Sequence, residues 1–409
     1  MRAADSLVAA GSAVDGLKLI FQLDHSVGSS MRSTPRNIVF VINSLTAGGA
    51  ERALTDLLAH LEDHLRHFSV HLVLLDVEEQ RHAVPAYVRK HILDAKFSMF
   101  SSTVLLARLL RELAPAVTLS FLNRANCANV ISSKILGYPC IVSERVHTTS
   151  HLGTGVSAAF NKIVVRLTYP LADQVIAVSE GVKEELIAHF GVREQKVSVI
   201  YNPIDVDLIC EKALEAPSIK LPRSYILGMG RLVPNKNFRL LIESYRSSGI
   251  SDHLVILGEG DERSELERLI SRLGLSERVF LPGYVQNPYP ILGAARLFVS
   301  SSNAEGFPNA LVEAMALGCP VVATDCNAGP MEILTRKMGP RCTEVTLAEY
   351  GILVPVNSAK SLTDAVRIAH RQDIRDTYSQ QGRERARDFG IDNSVDRYRS
   401  AIESCASPA

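Results

Sequence analysis

No stretch of this 409-residue chain is apolar for the roughly 18–20 residues that a helix needs to cross a bilayer. The first thirty residues carry Asp5, Asp15, Lys18 and Asp24, which interrupt any apolar core of a secretion signal. Residues 1–35 read as an N-terminal extension, either loosely ordered or an over-long start, with Met31 just before the first clear strand. No function is assigned to it. Cysteine pairing is missing too. Cys127, Cys140, Cys210, Cys319, Cys326, Cys342 and Cys405 form no C-x-x-C, which argues against a disulfide framework or zinc knuckle. Reduced, mostly buried thiols in a cytoplasmic protein are expected. Formal charge balances at zero, so nothing global calls for nucleic acid. No G-x-G-x-x-G follows the first strand, which disfavours a dinucleotide oxidoreductase. The Asp-x-Asp letters of Asp205-Val-Asp207 fall between domains, and no metal is expected. No repeat with a period of about 20–50 residues is visible.

What is present is alternation. Strand-like runs at Asn37–Ile42, Ser69–Leu75, Ala116–Leu119, Pro139–Ser143 and Gln174–Val178 are separated by helical stretches. These include one from about Glu51 to Leu65 and one with leucines 105, 106, 109, 110 and 113 at helical spacing. A second series runs through Tyr225–Met229, Leu254–Leu257, Val279–Phe280, Leu297–Ser300 and Val321–Thr324, with helices at Arg263–Leu273 and Asn309–Leu317. This predicts an α/β protein of two Rossmann-like, doubly wound domains facing each other across a central cleft. The predicted boundaries are 36–208 for the N-terminal domain, 209–222 for a linker and 223–385 for the C-terminal domain. A charged helix in 386–409 is expected to pack back on the first domain.

The segment Glu305-Gly-Phe-Pro-Asn-Ala-Leu-Val-Glu313 carries most information. A buried strand runs into a polar loop, and Pro308 marks a helix start. Backbone N–H groups of Asn309, Ala310 and Leu311 then offer an anion site at the positive end of the helix dipole. Glu305 and Glu313 flank it, one placed for a sugar and the other for a ribose diol. Gly230-Arg231-Leu-Val-Pro-Asn-Lys236 follows the strand Tyr225–Met229, and two cations there suit a diphosphate whose charge grows as it departs. Gly48-Gly49-Ala-Glu51-Arg52 follows the first strand, where paired glycines admit a ligand to the backbone. Gly258-Glu-Gly260 is a weaker signal.

Taken in order with Ser-Glu-Gly at 179–181, Tyr-Asn-Pro-Ile-Asp at 201–205 and Gly-Pro-Met-Glu at 329–332, these motifs resemble the retaining glycosyltransferases of family four, over roughly residues 36–385. The resemblance implies a GT-B fold, a nucleotide-sugar co-substrate with UDP as the default, and neither cofactor nor metal. It places Glu313 on the ribose hydroxyls and Glu305 beside Gly306 and Phe307 on the sugar's face. Arg231 and Lys236 would hold the diphosphate, Gly49 would close on the phosphate and acceptor side, and Pro282-Gly283-Tyr284 would pass the base. One departure stands out. Where the family often has a sugar-contacting His, this chain reads Ser143-Glu144-Arg145-Val-His147, leaving Arg145 and His147 both as candidates. Without a well-placed protein nucleophile, retention implies front-face displacement rather than a covalent intermediate.

Between Arg81 and Arg166 basic residues outnumber acids, which are only Asp94, Glu112 and Glu144. Two readings stay open: a solvated helical surface, or a face for anionic headgroups or a lipid diphosphate acceptor. Phe121-Leu-Asn123-Arg124 is a candidate lining of the acceptor pocket. Expected partners are a nucleotide-sugar donor and a sugar or lipid-linked saccharide, as in bacterial polysaccharide synthesis, with no nucleic acid. A sugar-nucleotide epimerase or phosphorylase and a non-catalytic nucleotide-sugar-binding subunit are the alternatives.

Overall fold

The run Ile38-Val-Phe-Val-Ile42 has no polar side chain, and a strand of that kind is stable only with both faces covered. The computed structural model, which describes residues 36–46, 48–152 and 155–406, makes it an interior strand of the first sheet. Strand β1 (Arg36–Ile42) is flanked by β2 (Phe68–Leu74), β3 (Arg89–Ile92), β4 (Val117–Phe121), β5 (Cys140–Glu144), β6 (Gln174–Ala177) and β7 (Val197–Val199). All run parallel in the order β3-β2-β1-β4-β5-β6-β7. The second sheet contains β8 (Tyr225–Met229), β9 (His253–Leu257), β10 (Val279–Gly283), β11 (Leu297–Ser300), β12 (Val321–Thr324), β13 (Thr346–Leu347) and β14 (Ile352–Val354). Its order is β10-β9-β8-β11-β12-β14-β13, and only β13 is antiparallel. The order reverses beside β1 and again beside β8, so each domain has a switch point where loops open at the strands' carboxyl ends. The extension predicted at 1–35 lies outside the described residues.

Apolar stripes dictate the layers. One face of the first sheet is covered by helices Met99–Leu113, Asn123–Leu136, Val156–Thr168 and Glu180–Phe190. The other is covered by Gly49–Leu61 together with Ile391–Ala406, which returns from the end of the second domain. Tyr398 of that returning helix is fully buried, with its ring 6.2 Å from Phe121 and its hydroxyl accepting from Arg145 Nη1 at 2.7 Å. Within the range 386–409 the helix runs Ile391–Ala406, and a separate helix, Gln372–Ala386, precedes it across a short turn at Arg387–Phe389. Across the predicted 208/209 boundary the chain is helical, Val206–Lys212, with Asp205 accepting the Leu208 N–H at 2.9 Å. The Asp-x-Asp letters thus serve a helix cap. All seven cysteines are unpaired, with Cys127, Cys140, Cys319 and Cys326 buried.

The domains meet where side chains are missing. A Cβ on Gly306 would lie 2.1 Å from the Arg145 carbonyl oxygen, and one on Gly181 would lie 2.6 Å from that of Asn327. Both neighbours are backbone on the opposite domain and cannot rotate away. Gly181→Ala should therefore lower stability by about 1–3 kcal/mol, the usual cost of overpacking. Thermal denaturation checks this; a melting temperature equal to that of the parent would show that the seam yields freely.

Candidate active site

The loop after β8 is built on glycines. A Cβ at Gly258 would meet the Gly230 carbonyl oxygen at 1.9 Å, while the Leu232 N–H donates to Glu259 O at 2.8 Å. Gly258-Glu-Gly260 is therefore a backbone shelf beneath the Gly230–Lys236 loop, not a phosphate loop of its own. Lys236 reaches from this shelf to the loop after β11, where its Nζ donates to Glu305 Oε1 at 2.5 Å. Ser302 Oγ donates to the same oxygen at 2.6 Å, and Ser301 Oγ donates to Lys236 O at 2.9 Å. The two loops predicted to embrace a leaving group are thus laced together. Arg231 is exposed beside them.

Glu305 leads through Gly306, Phe307 and Pro308 into helix Asn309–Ala316. The Leu311 N–H donates to Pro308 O at 3.0 Å, so the anion-facing tip rests on Asn309 and Ala310 rather than on all three predicted groups. Leu311 is a core residue. Phe307 is also committed to packing. Its ring lies 5.4 Å from Tyr201 and 5.3 Å from Phe389. Glu313, only 2% exposed, accepts from Arg52 Nη1 at 2.8 Å. Arg52 belongs to the first helix of the opposite domain and also donates to the Tyr289 hydroxyl. The Glu313 charge, working against burial, holds this guanidinium firmly protonated.

The glycine pair after β1 now has a geometric reason. The Glu51 carboxylate folds back over Gly48, where a Cβ would stand 2.0 Å from Oε2. Burial raises the Glu51 pKa, opposed by its own backbone hydrogen bond and by the charge of Arg231 across the cleft. Gly49 faces the helix tip, its Cβ direction passing 3.6 Å from Asn309 Nδ2. Asn202 Nδ2 donates to Asn309 Oδ1, and Arg145 in turn donates to Asn202. Arg145 is buried in this relay and donates to the Tyr398 hydroxyl, so its guanidinium is committed to protein partners. His147 is likewise occupied. Its Nδ1 lies 3.2 Å from Glu185 Oε1 and 2.9 Å from Ser150 Oγ, with burial lowering its pKa against the pull of Glu185.

The remaining predicted residues spread along the cleft. Gly283 has φ +93°, and a Cβ there would come within 2.5 Å of Glu259 Oε1. Tyr284 lies under Arg81, 5.4 Å from ring centre to guanidinium, so the loop after β2 reaches the turn predicted to pass the base. Asn123 follows Leu122, which has a left-handed φ of 72°, and its buried Nδ2 has no partner among the described residues. Arg124 leaves the predicted acceptor lining, being paired with buried Asp76 and donating to Ser102 Oγ at 2.8 Å.

Sequence reasoning quoted Glu51, Arg52, Asn202 and Glu332 inside motifs but gave them no role, and it missed Tyr289. Glu332 is buried and accepts the N–H of Glu180, across the seam, at 2.8 Å and that of Gly329 at 3.2 Å. Burial pushes its pKa up to about 6. Glu144 also missed a role. It is fully buried at the end of β5, accepting from the Tyr169 hydroxyl at 2.5 Å and the Arg145 N–H at 3.0 Å.

Solved structures share this architecture. Sucrose-phosphate synthase of Thermosynechococcus elongatus superposes with a TM-score of 0.74 at 17% identity, over 90% of this chain and 98% of that one. Anabaena Alr3699/HepE, solved with UDP and glucose, gives 0.71 at 20% identity, over 90% and 100%. Two Rossmann-like sheets facing across such a cleft define the GT-B fold. Residues 47–208 match the model of Glycosyltransferase Family 4 and residues 211–385 that of Glycosyl transferases group 1. The N-acetylgalactosamine-N,N'-diacetylbacillosaminyl-diphospho-undecaprenol 4-alpha-N-acetylgalactosaminyltransferase of Campylobacter jejuni is 32% identical over 361 residues, 85% of this chain and 94% of that protein. The lipopolysaccharide 1,6-galactosyltransferase of Salmonella typhimurium is 29% identical over 175 residues, 41% and 46% of the two chains. The chain belongs to glycosyltransferase family 4.

Burial raises the Glu144 carboxyl from 4.5 to about 7. A carboxyl raised in the folded state favours folding while protonated, and that contribution is lost as pH rises from about 4.5 through about 7. Urea denaturation at pH 5 and pH 8 should show Glu144→Gln losing less stability over this interval than the parent, by on the order of 3 kcal/mol. Parallel losses in both proteins would place the titration elsewhere.

Proposed function

We propose that this enzyme is a retaining glycosyltransferase that moves a hexose or N-acetylhexosamine from a UDP-sugar to a hydroxyl of a sugar or lipid-linked saccharide. The observation carrying the reading is the joining of Lys236, Glu305 and the tip of helix Asn309–Ala316 beside buried Glu313. A cation and a helix amino end there suit a departing diphosphate, and a buried carboxylate suits a diol. Glu313 holds the Arg52 guanidinium and would exchange it for the ribose hydroxyls. Glu305 would meet the sugar, and Lys236 with Arg231 would hold the diphosphate.

The reaction follows as front-face displacement. The bond from the anomeric carbon to the diphosphate oxygen breaks, and its electron pair goes to the oxygen. That oxygen takes the acceptor's proton while the acceptor oxygen bonds to the same face of an oxocarbenium-like sugar. Lys236 and Arg231 stabilise charge that is greatest in the transition state. The reading includes no metal. A lipid-linked acceptor, and work at the cytoplasmic face of a membrane, are supported by the diphospho-undecaprenol in the Campylobacter relative's name.

Lys236→Ala should lower kcat about 10²–10³-fold, the usual loss of a preorganised electrostatic donor. Glu313→Ala should instead weaken UDP binding by about tenfold or more, the equivalent of some 1.4 kcal/mol. Steady-state kinetics and titration with UDP separate the two, and unchanged values in both variants would overturn the assignment. A thermal-shift panel of nucleotide sugars should show stabilisation by a UDP-sugar that EDTA leaves intact. Loss of that shift in EDTA would refute the metal-free reading.

A further inference from the structure

Helix Val156–Thr168 is apolar on two opposite sides. Ala158, Val165 and Thr168 turn inward and are buried against the first sheet's helical layer. On the outer side Phe160, Ile163 and Leu167 recur at spacings of three and four, and Leu171 continues the line into the next turn. They are 62%, 54%, 43% and 39% exposed. An amphipathic helix facing water alone would be polar there. A contiguous outward stripe of large apolar side chains marks an interaction surface. The flank of the stripe is basic: Arg166 is exposed within it, and the neighbouring carboxylate, Asp173, is paired with Lys134 at 3.5 Å. In the same helical layer Phe97 and Phe100 are 66% and 70% exposed at the start of helix Met99–Leu113, which also exposes Arg108.

We infer that this helix docks the enzyme on an anionic lipid surface, its apolar stripe entering the headgroup boundary and its basic flank meeting lipid phosphates. Two features select a bilayer over a protein partner. The stripe is one helix wide and follows helical period, as an interfacial helix requires. Helices Met99–Leu113 and Val156–Thr168 also expose Arg108, Arg111 and Arg166 against the one acid Glu112, which complements anionic headgroups. The inference rests on the reading of a membrane-borne acceptor, and its test is separable from catalysis.

The test is flotation of the full chain with phosphatidylcholine vesicles, with and without phosphatidylglycerol, in the absence of donor. The parent should float only with the anionic vesicles. Ile163→Ser combined with Leu167→Ser should cut the bound fraction about tenfold, equivalent to losing some 1.4 kcal/mol of burial. UDP-induced thermal stabilisation should be unchanged, which separates this result from failure of the glycosyltransferase reading. If the double variant does not fold, the exposed charge reversal Arg166→Glu should weaken flotation and make it less sensitive to salt. Equal flotation of parent and variants, or none by the parent, would overturn the inference. So would a parent dimer in light scattering that the double variant abolishes, which would assign the stripe to a second copy. Vesicle binding by the parent that is lost on removal of residues 1–35, with Ile163 and Leu167 intact, would assign it to that segment and overturn it equally.

Discussion

Two buried carboxylates of the second domain take partners from the first. Glu313 takes Arg52, and Glu332 takes the backbone N–H of Glu180. A buried carboxylate stripped of its partner costs several kcal/mol. The relative placement of the sheets is therefore under electrostatic control, and the cleft opens readily only if something else takes over the Arg52 position. A polyhydroxylated ligand with an anionic tail meets that requirement, because its hydroxyls satisfy Glu313 and its charge suits the released guanidinium.

The seam also explains why the small residues sit where they do. Gly48 makes room for the Glu51 carboxylate, and Gly306 and Gly181 make room for backbone of the facing domain. At each point the close approach serves a polar neighbour: Thr46 and Arg231 around Glu51, the Arg145–Asn202–Asn309 relay near Gly306, and the Glu332 clasp beside Gly181. The relay ties the amino end of helix Asn309–Ala316 to Tyr398. The C-terminal helix thus braces the site from behind the first sheet without entering it.

How much of this was legible depended on whether a residue's partner is local. Strands β8, β11 and β12 are continuous apolar runs bounded by glycine or polar loops, and their limits were read to the residue. Strand β3, Arg-Lys-His-Ile, escaped because an edge strand need not be apolar, and β13 and β14 because they are only two and three residues long. Lys236 and Glu305 stood out as chemistry after strands, and the structure brings them into contact. Arg145 and His147 looked free in sequence because Tyr398, Asn202 and Glu185 lie far from them along the chain. Arg52 was visible within its motif, but its bond to Glu313 spans the whole interdomain contact, and no local pattern encodes that pairing.

The helix Ile391–Ala406 closes one face of the first sheet, burying Val395, Tyr398 and Ile402 beside Leu54 and Leu58 of the opening helix. During synthesis on the ribosome, the first domain leaves the exit tunnel with that face uncovered and must wait while the whole second domain is made. Its final packing therefore comes after the second domain's, and a nascent chain halted before residue 391 would display an apolar groove. A chaperone that holds such chains would recognise this interval of translation rather than either finished lobe.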